Sequence, residues 1–366
     1  MRTFFTRSFL LTAFVCSSYF VNAQSYIIPV VVHVLHQGGP ENISDAQILD
    51  AMRILNEDYN KQNADTIDVI PYYQNNIADM QVEFRLATID PNGNVTNGID
   101  RIYTSLTNSG NDSAKIDLWN RSRYLNIWTV KNMTGVAAYA YNPWVVDTTP
   151  SKDGVMILSN YVGAIGTSDS FKRRALTHEV GHYLCLLHTW SATCVDEDSV
   201  SDTPPSKGWN HCPSDTLNAM VCTPGVIENY QNFMEFSYCT AMFTNGQKAR
   251  VHNCLESTVA HRDSLWALPN LVATGVISGI EAMRYDRRVV SLFPNPCTTT
   301  FTIQLTTPPV AETYFQLYDA LGRQVKREEI NSTTTTTHRN NLPSGIYFWQ
   351  LTERNKILER GKVVME

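Results

Sequence analysis

The sequence predicts an α+β domain followed by a small all-β sandwich, and three observations carry that prediction. A β-branched run opens the first domain, a long Pro-free helix comes late in it, and after about Val289 the pattern changes to short strands separated by turn residues. A chain of 366 residues is long enough for two such domains.

Arg2 and Arg7 precede a mainly apolar stretch over 8–20, and Val21-Asn22-Ala23 offers small or β-branched residues where a signal peptidase reads. Residues 1–23 are therefore expected to be a removed export signal. That run is shorter than the ~20 residues of a spanning helix, and no later run is longer, so no stable membrane span is expected. Residues 27–35 (IIPVVVHVL) read as a buried strand. Ser44 then caps a helix with Ile48, Met52 and Leu55 at helical spacing, ending near Tyr59. Strands are expected at 81–87, 124–130 and 155–161. Residues 171–187 contain no Pro and a single internal Gly181, which reads as helix. Residues 189–225, rich in Ser, Thr, Asp, Pro and Cys, read as loop held by disulfides. The first domain is thus placed at 24–276, a linker at 277–288 and the second domain at 289–366. Its strands are expected near 301–305, 314–317 and 346–351, with the Thr run at 333–337 as an exposed hairpin loop.

Hydrophobic content of 43% with 17% charged residues is that of a folded protein rather than a disordered one. The formal charge is −6, and losing Arg2 and Arg7 with no acid makes it −8, so nucleic acid is excluded as a partner for want of a basic surface. Export makes disulfides available. Of the 8 cysteines, removing Cys16 with the signal leaves an odd number, so one thiol is expected free or paired between chains.

The informative stretch is 177–190, THEVGHYLCLLHTW. On a helix, positions i and i+4 share a face, so His178 and His182 can aim ring nitrogens at one point. A catalytic zinc takes three protein ligands and keeps a further position open. His188 would face away if the helix continued, so the third ligand requires a sharp turn between His182 and His188. Glu179, beside the first ligand, can take a proton from a water whose pKa zinc lowers from about 16 to about 7. It can then pass that proton to the leaving amine of a cut peptide. The expected cofactor is Zn2+ and the expected substrates are proteins or peptides. The bland reading is a solvated helix with unrelated histidines; the export signal and the apolar residues between the ligands weigh against it.

These residues resemble the metzincin signature, and their flanks narrow the resemblance to the pappalysin family of secreted metallopeptidases. It runs from IPVVVHV at 28–34, through HEVGH and Asp202-Thr203-Pro204, to Asn232-Phe233-Met234 and FTNGQ at 243–247. The resemblance implies a metzincin catalytic domain with a twisted sheet, an active-site helix and an irregular lower subdomain. It implies that Met234 is the Met-turn residue beneath the zinc ligands, although alone it reads as ordinary core filler. It also implies disulfides Cys194–Cys222 and Cys212–Cys239, and a Ca2+-binding turn including Asp198 and Thr203, whose hard oxygens suit that ion. An acidic surface loop is the other reading of that turn.

The sequence departs from the family in three places. Cys185 stands where the signature carries Gly, at a position that often turns left-handed as the helix ends, where a side chain costs about 1 kcal/mol or more. It reads as a small buried side chain in strain rather than as a ligand or redox handle, and Cys185, Cys254 and Cys297 have no assigned partner. Phe236 replaces a Tyr whose phenol steadies the developing oxyanion. Losing one such donor costs roughly 10²–10³ in rate, and Tyr238 is the candidate substitute. Few residues separate Ala23 from the first strand, so latency is expected to be handled by something other than the family's N-terminal inhibitory segment, or to be absent. His33 and His36 face different sides of their strand and are expected to be structural. Some relatives favour basic residues after the cut; with no Asp or Glu between Cys239 and Cys254, that preference is not carried over.

From about residue 289, FPNP at 293–296, LYDALGR at 317–323, LPSGIY at 342–347 and the basic ending around Lys362 resemble the type A sorting domain of the bacterial type IX secretion system. The resemblance implies a β-sandwich that addresses the protein across the outer membrane, with the type IX machinery as partner. Phe293, Tyr347 and Trp349 read as its core, and Cys297 as incidental; a generic carbohydrate-binding β domain is the alternative. The leading reading is a secreted zinc-dependent endopeptidase, extracellular or at the cell surface. The competing one, motivated by Phe236 and Cys185, is a catalytically weak or inactive zinc-binding surface protein or adhesin; the intact Glu179 argues against it.

Overall fold

The computed structural model describes residues 26–191, 193–194, 198–278, 290–305, 308–309, 311–354 and 356–366. The expected signal at 1–23 and most of the expected linker lie outside them.

The β-branched run forms β1 (Tyr26–His36), and α1 (Asp45–Tyr59) follows with the Ser44 hydroxyl accepting from the Gln47 amide. β2 (Val82–Leu86) and β3 (Ile99–Tyr103) pair in parallel with successive halves of one edge of β1, and β4 (Leu125–Val130) pairs in parallel with the other. β5 (Ala138–Ala140), the short α2 (Pro143–Val146) and β6 (Val155–Leu158) come next. β6 lies parallel beside β4, and β5 runs antiparallel to β6 as the edge strand. Side chains alternate along a strand. Ile28, Val30, Val32 and Val34 therefore meet Ile48, Met52 and Leu55 of α1 and Leu176, Val180 and Tyr183 of α3 (Ala175–Tyr183) in one core. Val31, His33 and Leu35 face the opposite layer with Trp119, Tyr124 and Trp128. Burial on both faces is why β1 reads as a continuous apolar run.

α3 is shorter at both ends than the helix expected over 171–187. The Leu186 amide donates to the Gly181 carbonyl and the Cys185 amide to that of His182, while Cys185 takes φ 72°. This paired closure around a left-handed residue stops the helix and turns the chain back. From there to residue 244, the described residues form no further helix or strand, and disulfides Cys194–Cys222 and Cys212–Cys239 cross the loops.

Helix α4 (Asn245–Leu255), not anticipated from the sequence, starts at a capping box of Thr244 and Gln247. The Asp202 carboxylate also accepts from the Thr244 hydroxyl (2.6 Å) and the Gly246 amide (2.8 Å) there. α5 (Arg262–Leu265) and α6 (Leu268–Ala273) follow. Val276 and Ile277 pack with Leu271 against Ile27, so this core extends one residue past the expected boundary at 276.

The remaining strands are β7 (Val290–Phe293), β8 (Thr300–Leu305), β9 (Thr313–Tyr318), β10 (Gln324–Glu329), β11 (Thr334–His338), β12 (Gly345–Glu353) and β13 (Lys356–Met365). They form two sheets, β10-β9-β12-β13 and β11-β8-β7, whose inner faces share Phe301, Ile303, Phe315, Leu317, Trp349 and Leu351. Two expectations are corrected. The Thr run is strand β11 paired with β8 rather than a hairpin loop, because β-branched Thr suits a pleated edge. Phe293 is 40% exposed rather than core, whereas Tyr347 and Trp349 are buried. Cys297 is a free thiol inside this core.

Candidate metal centre

His178 and His182 lie one turn apart on the buried face of α3, and the turn after Tyr183 brings His188 back to them. The Nε2 atom of His188 lies 3.0 Å from that of His182 and 3.1 Å from that of His178. The other ring nitrogens are engaged: Nδ1 of His178 lies 2.7 Å from the Phe233 carbonyl, and Nδ1 of His182 lies 2.9 Å from that of Leu186. A carbonyl only accepts, so each Nδ1 carries the proton and each Nε2 presents a lone pair. Burial depresses all three imidazoles, with His178 well below the usual range and His188 pushed down to about 4; repulsion from neighbouring rings adds to the effect at His178 and His188, while the Leu186 carbonyl opposes it at His182. The rings are therefore neutral. The two lone pairs fixed in this way both lie within 3.1 Å of the Nε2 of His188, and three ring nitrogens this close together fit a zinc ion. Among the described residues, these histidines form the one cluster of metal-binding side chains.

Met234 is fully buried against Gly181 of α3, and its amide donates to the Asn232 side chain (2.9 Å). Asn232 and Gln247 exchange two side-chain hydrogen bonds, which tie this turn to the start of α4. Gly181 makes the close approach possible, because a Cβ there would lie 2.4 Å from the Met234 sulfur. Gly181→Ala should therefore destabilise the domain. Helix propensity would return about 1 kcal/mol, but overpacking costs about 1–3 kcal/mol. A net loss of about 1 kcal/mol is expected by urea denaturation, and a gain would show that the Met234 side chain moves aside freely.

Glu179 is buried next to the imidazoles, and burial raises its carboxyl to about 8 against the opposing pull of the Ala140 backbone N–H. A divalent cation at the histidines would draw that pKa down again. These groups line a cleft of about 580 Å³ bounded by residues 135–140, which include β5, and by Phe236 and Tyr238 on the other side. His188 stacks on Trp190 at 4.7 Å and meets Phe236 edge-on at 5.1 Å, and those two rings also touch each other at 4.7 Å. Sequence reasoning assigned Trp190 no role; its place two residues after a ligand was the available signal. Tyr238 stands at the rim of the same cleft, 58% exposed and edge-on to Phe171.

The Thr203 hydroxyl donates to both carboxylate oxygens of Asp198 (2.7 and 2.8 Å), and burial pushes that carboxyl up to about 6. His33 bridges Asp100 and Asn126 at 2.9 Å each, a structural role as expected. Cys185 is not a lone small side chain: it is disulfide-bonded to Cys254 on α4, which corrects the expectation for both residues.

Residues 108–256 match the peptidase family described as pregnancy-associated plasma protein-A, and residues 291–366 match a secretion system C-terminal sorting domain. An extracellular metalloprotease of Arthroderma otae is 32% identical over 61% of this chain and 76% of that protein. Extracellular metalloprotease 1 of Coccidioides posadasii is 30% identical over 68% of this chain and 84% of that protein. The solved structure of Tannerella forsythia mature mirolysin in complex with a cleaved peptide is similar at a TM-score of 0.64, with 34% identity over 69% of this chain and 99% of that one.

Proposed function

This chain belongs to the pappalysin family of metzincin metallopeptidases and carries a type IX sorting domain, and from that membership we propose how its own residues carry out the hydrolysis. It is a metalloendopeptidase secreted to the extracellular space or the cell surface. No helix among the described residues is long and apolar enough to cross a membrane.

His178, His182 and His188 hold the zinc that the family implies, with the Phe233 and Leu186 carbonyls fixing two of the rings so that Nε2 faces the ion. When bound, zinc supplies Lewis acidity, polarising a peptide carbonyl and lowering the pKa of a water. The free edge of β5 takes an extended peptide by main-chain hydrogen bonds and lays it along the cleft. Glu179 accepts the proton of the attacking water and returns it to the leaving nitrogen. Met234 supports the rings from below. Phe236 has no proton to offer the oxyanion, so Tyr238 is the phenol assigned to that task. Asp198 and Thr203 are assigned to calcium on the family resemblance, and disulfides Cys194–Cys222 and Cys212–Cys239 hold the surrounding loops.

The observation that carries this reading is the set of neutral imidazoles converging beside a buried carboxylate in a cleft under an edge strand. Its test is metal removal. Dialysis against 1,10-phenanthroline should abolish gelatin and peptide cleavage, and stoichiometric zinc should restore it. Full activity in protein shown by elemental analysis to be zinc-free would overturn the reading.

A further inference from the structure

The turn that returns His188 to the cleft hangs on one helix. Arg250 and Cys254 lie four residues apart on α4 and so share a face. Both grip residue 185. The Arg250 Nε donates to the Cys185 carbonyl (2.6 Å), and the Cys254 sulfur is bonded to that of Cys185. Arg250 also reaches the Asp198 carbonyl (3.1 Å), beyond His188 in the chain. At its other end α4 holds Asn232 through Gln247, and Asn232 receives the Met234 amide. One helix therefore anchors both the floor under the imidazoles and the segment that delivers the third of them.

Residue 185 needs this grip. It adopts φ 72°, a conformation that glycine takes freely and other residues resist. The main-chain bonds from Cys185 and Leu186 to His182 and Gly181 form only around such a left-handed residue. If residue 185 relaxed to a right-handed conformation, those bonds would be lost and the path to His188 with them. The Leu186 carbonyl would leave Nδ1 of His182 at the same time.

We infer that Cys185 and Cys254 are positioning residues for the metal centre: their disulfide holds residue 185 left-handed, so that zinc retention by this chain depends on that one crosslink. The inference rests on the histidine assignment proposed above. It makes the disulfide this chain's substitute for a glycine, rather than a general brace.

The test compares zinc affinity, measured by competition with a chromophoric chelator, in the full chain and in two double variants. C185A/C254A removes the crosslink and leaves a Cβ at residue 185; it should lose roughly 10–100-fold in zinc affinity, the size of other supporting-shell losses. C185G/C254A removes the same crosslink but frees φ, and should recover to within about threefold of wild type by the same argument. Thermal melts of the metal-free proteins should show both variants destabilised relative to wild type, C185A/C254A the more so by the roughly 1 kcal/mol that a left-handed side chain costs; identical melts would count against strain at residue 185. Wild-type zinc affinity in both variants, equal losses in both, or failure of the glycine variant to fold would each overturn the inference. Failure of the wild type itself to bind zinc would instead overturn the assignment of the histidines.

Discussion

Replacing Glu179 by Gln is expected to lower kcat by roughly 10²–10⁴-fold, the usual contribution of a general base, while leaving the zinc content unchanged. Gln keeps the shape and hydrogen-bonding capacity of the side chain but cannot take up a proton at neutral pH. Glu179 is not among the converging imidazoles, so metal retention should not depend on it. Unfolding does not offer another explanation for the loss. The carboxyl is buried, and burial already pushes its pKa up to about 8, so a neutral amide there relieves a cost rather than adding one. The measurements are steady-state cleavage of a quenched fluorescent peptide and zinc by elemental analysis, on wild type and variant together. A variant with more than a tenth of wild-type kcat would remove Glu179 from the mechanism. Equal, near-zero activity in both would instead favour a zinc-binding surface protein.

The largest expected effect on stability lies behind the catalytic helix. Arg262 is fully buried, and its guanidinium meets the Asp153 carboxylate at 2.7 and 3.0 Å. It also donates to the carbonyls of Ala260 and Tyr183 (3.0 Å each) and lies 3.6 Å over the Tyr183 ring. The Tyr183 carbonyl is one of the last of α3 and would otherwise be left without a donor. Arg262→Met should cost about 3–5 kcal/mol, because it strands the Asp153 charge in the interior. For a domain of this size the corresponding fall in Tm is roughly 6–20 °C. Arg121, 3.5 Å from the same carboxylate, stays as a weaker partner, so the loss should fall toward the lower end of that range. Adding Asp153→Asn to Arg262→Met should recover part of the loss, since the stranded charge rather than the missing contact dominates. A single variant costing under about 1 kcal/mol would show that water or Arg121 reaches Asp153.

The histidine cluster and the strands of the core were legible because both are short-range patterns. His178 and His182 share a face by helical periodicity alone, and the run at 27–35 reads as a buried strand because every residue in it but His33 is apolar. The strands β3 and β5 escaped notice: they are short, and the exposed or half-buried positions of the sequence around them carry no alternation strong enough to register. Helix α4 was hidden by its polar composition, since its buried face reduces to Gln247, Val251, Cys254 and Leu255. The Thr run misread as a loop shows the same limit, because polar β-branched residues serve a paired edge and a turn equally well in one dimension.

The sequence by itself determined which atoms could do the chemistry: three imidazoles, one carboxylate beside them, and an address for export. Only the tertiary structure decided how those atoms are held. Which cysteine meets Cys185, which helix supports Met234, and which ring touches His188 are contacts between segments 15 to 69 residues apart, and pair distances at that range are set by the packing of the whole core rather than by any local preference.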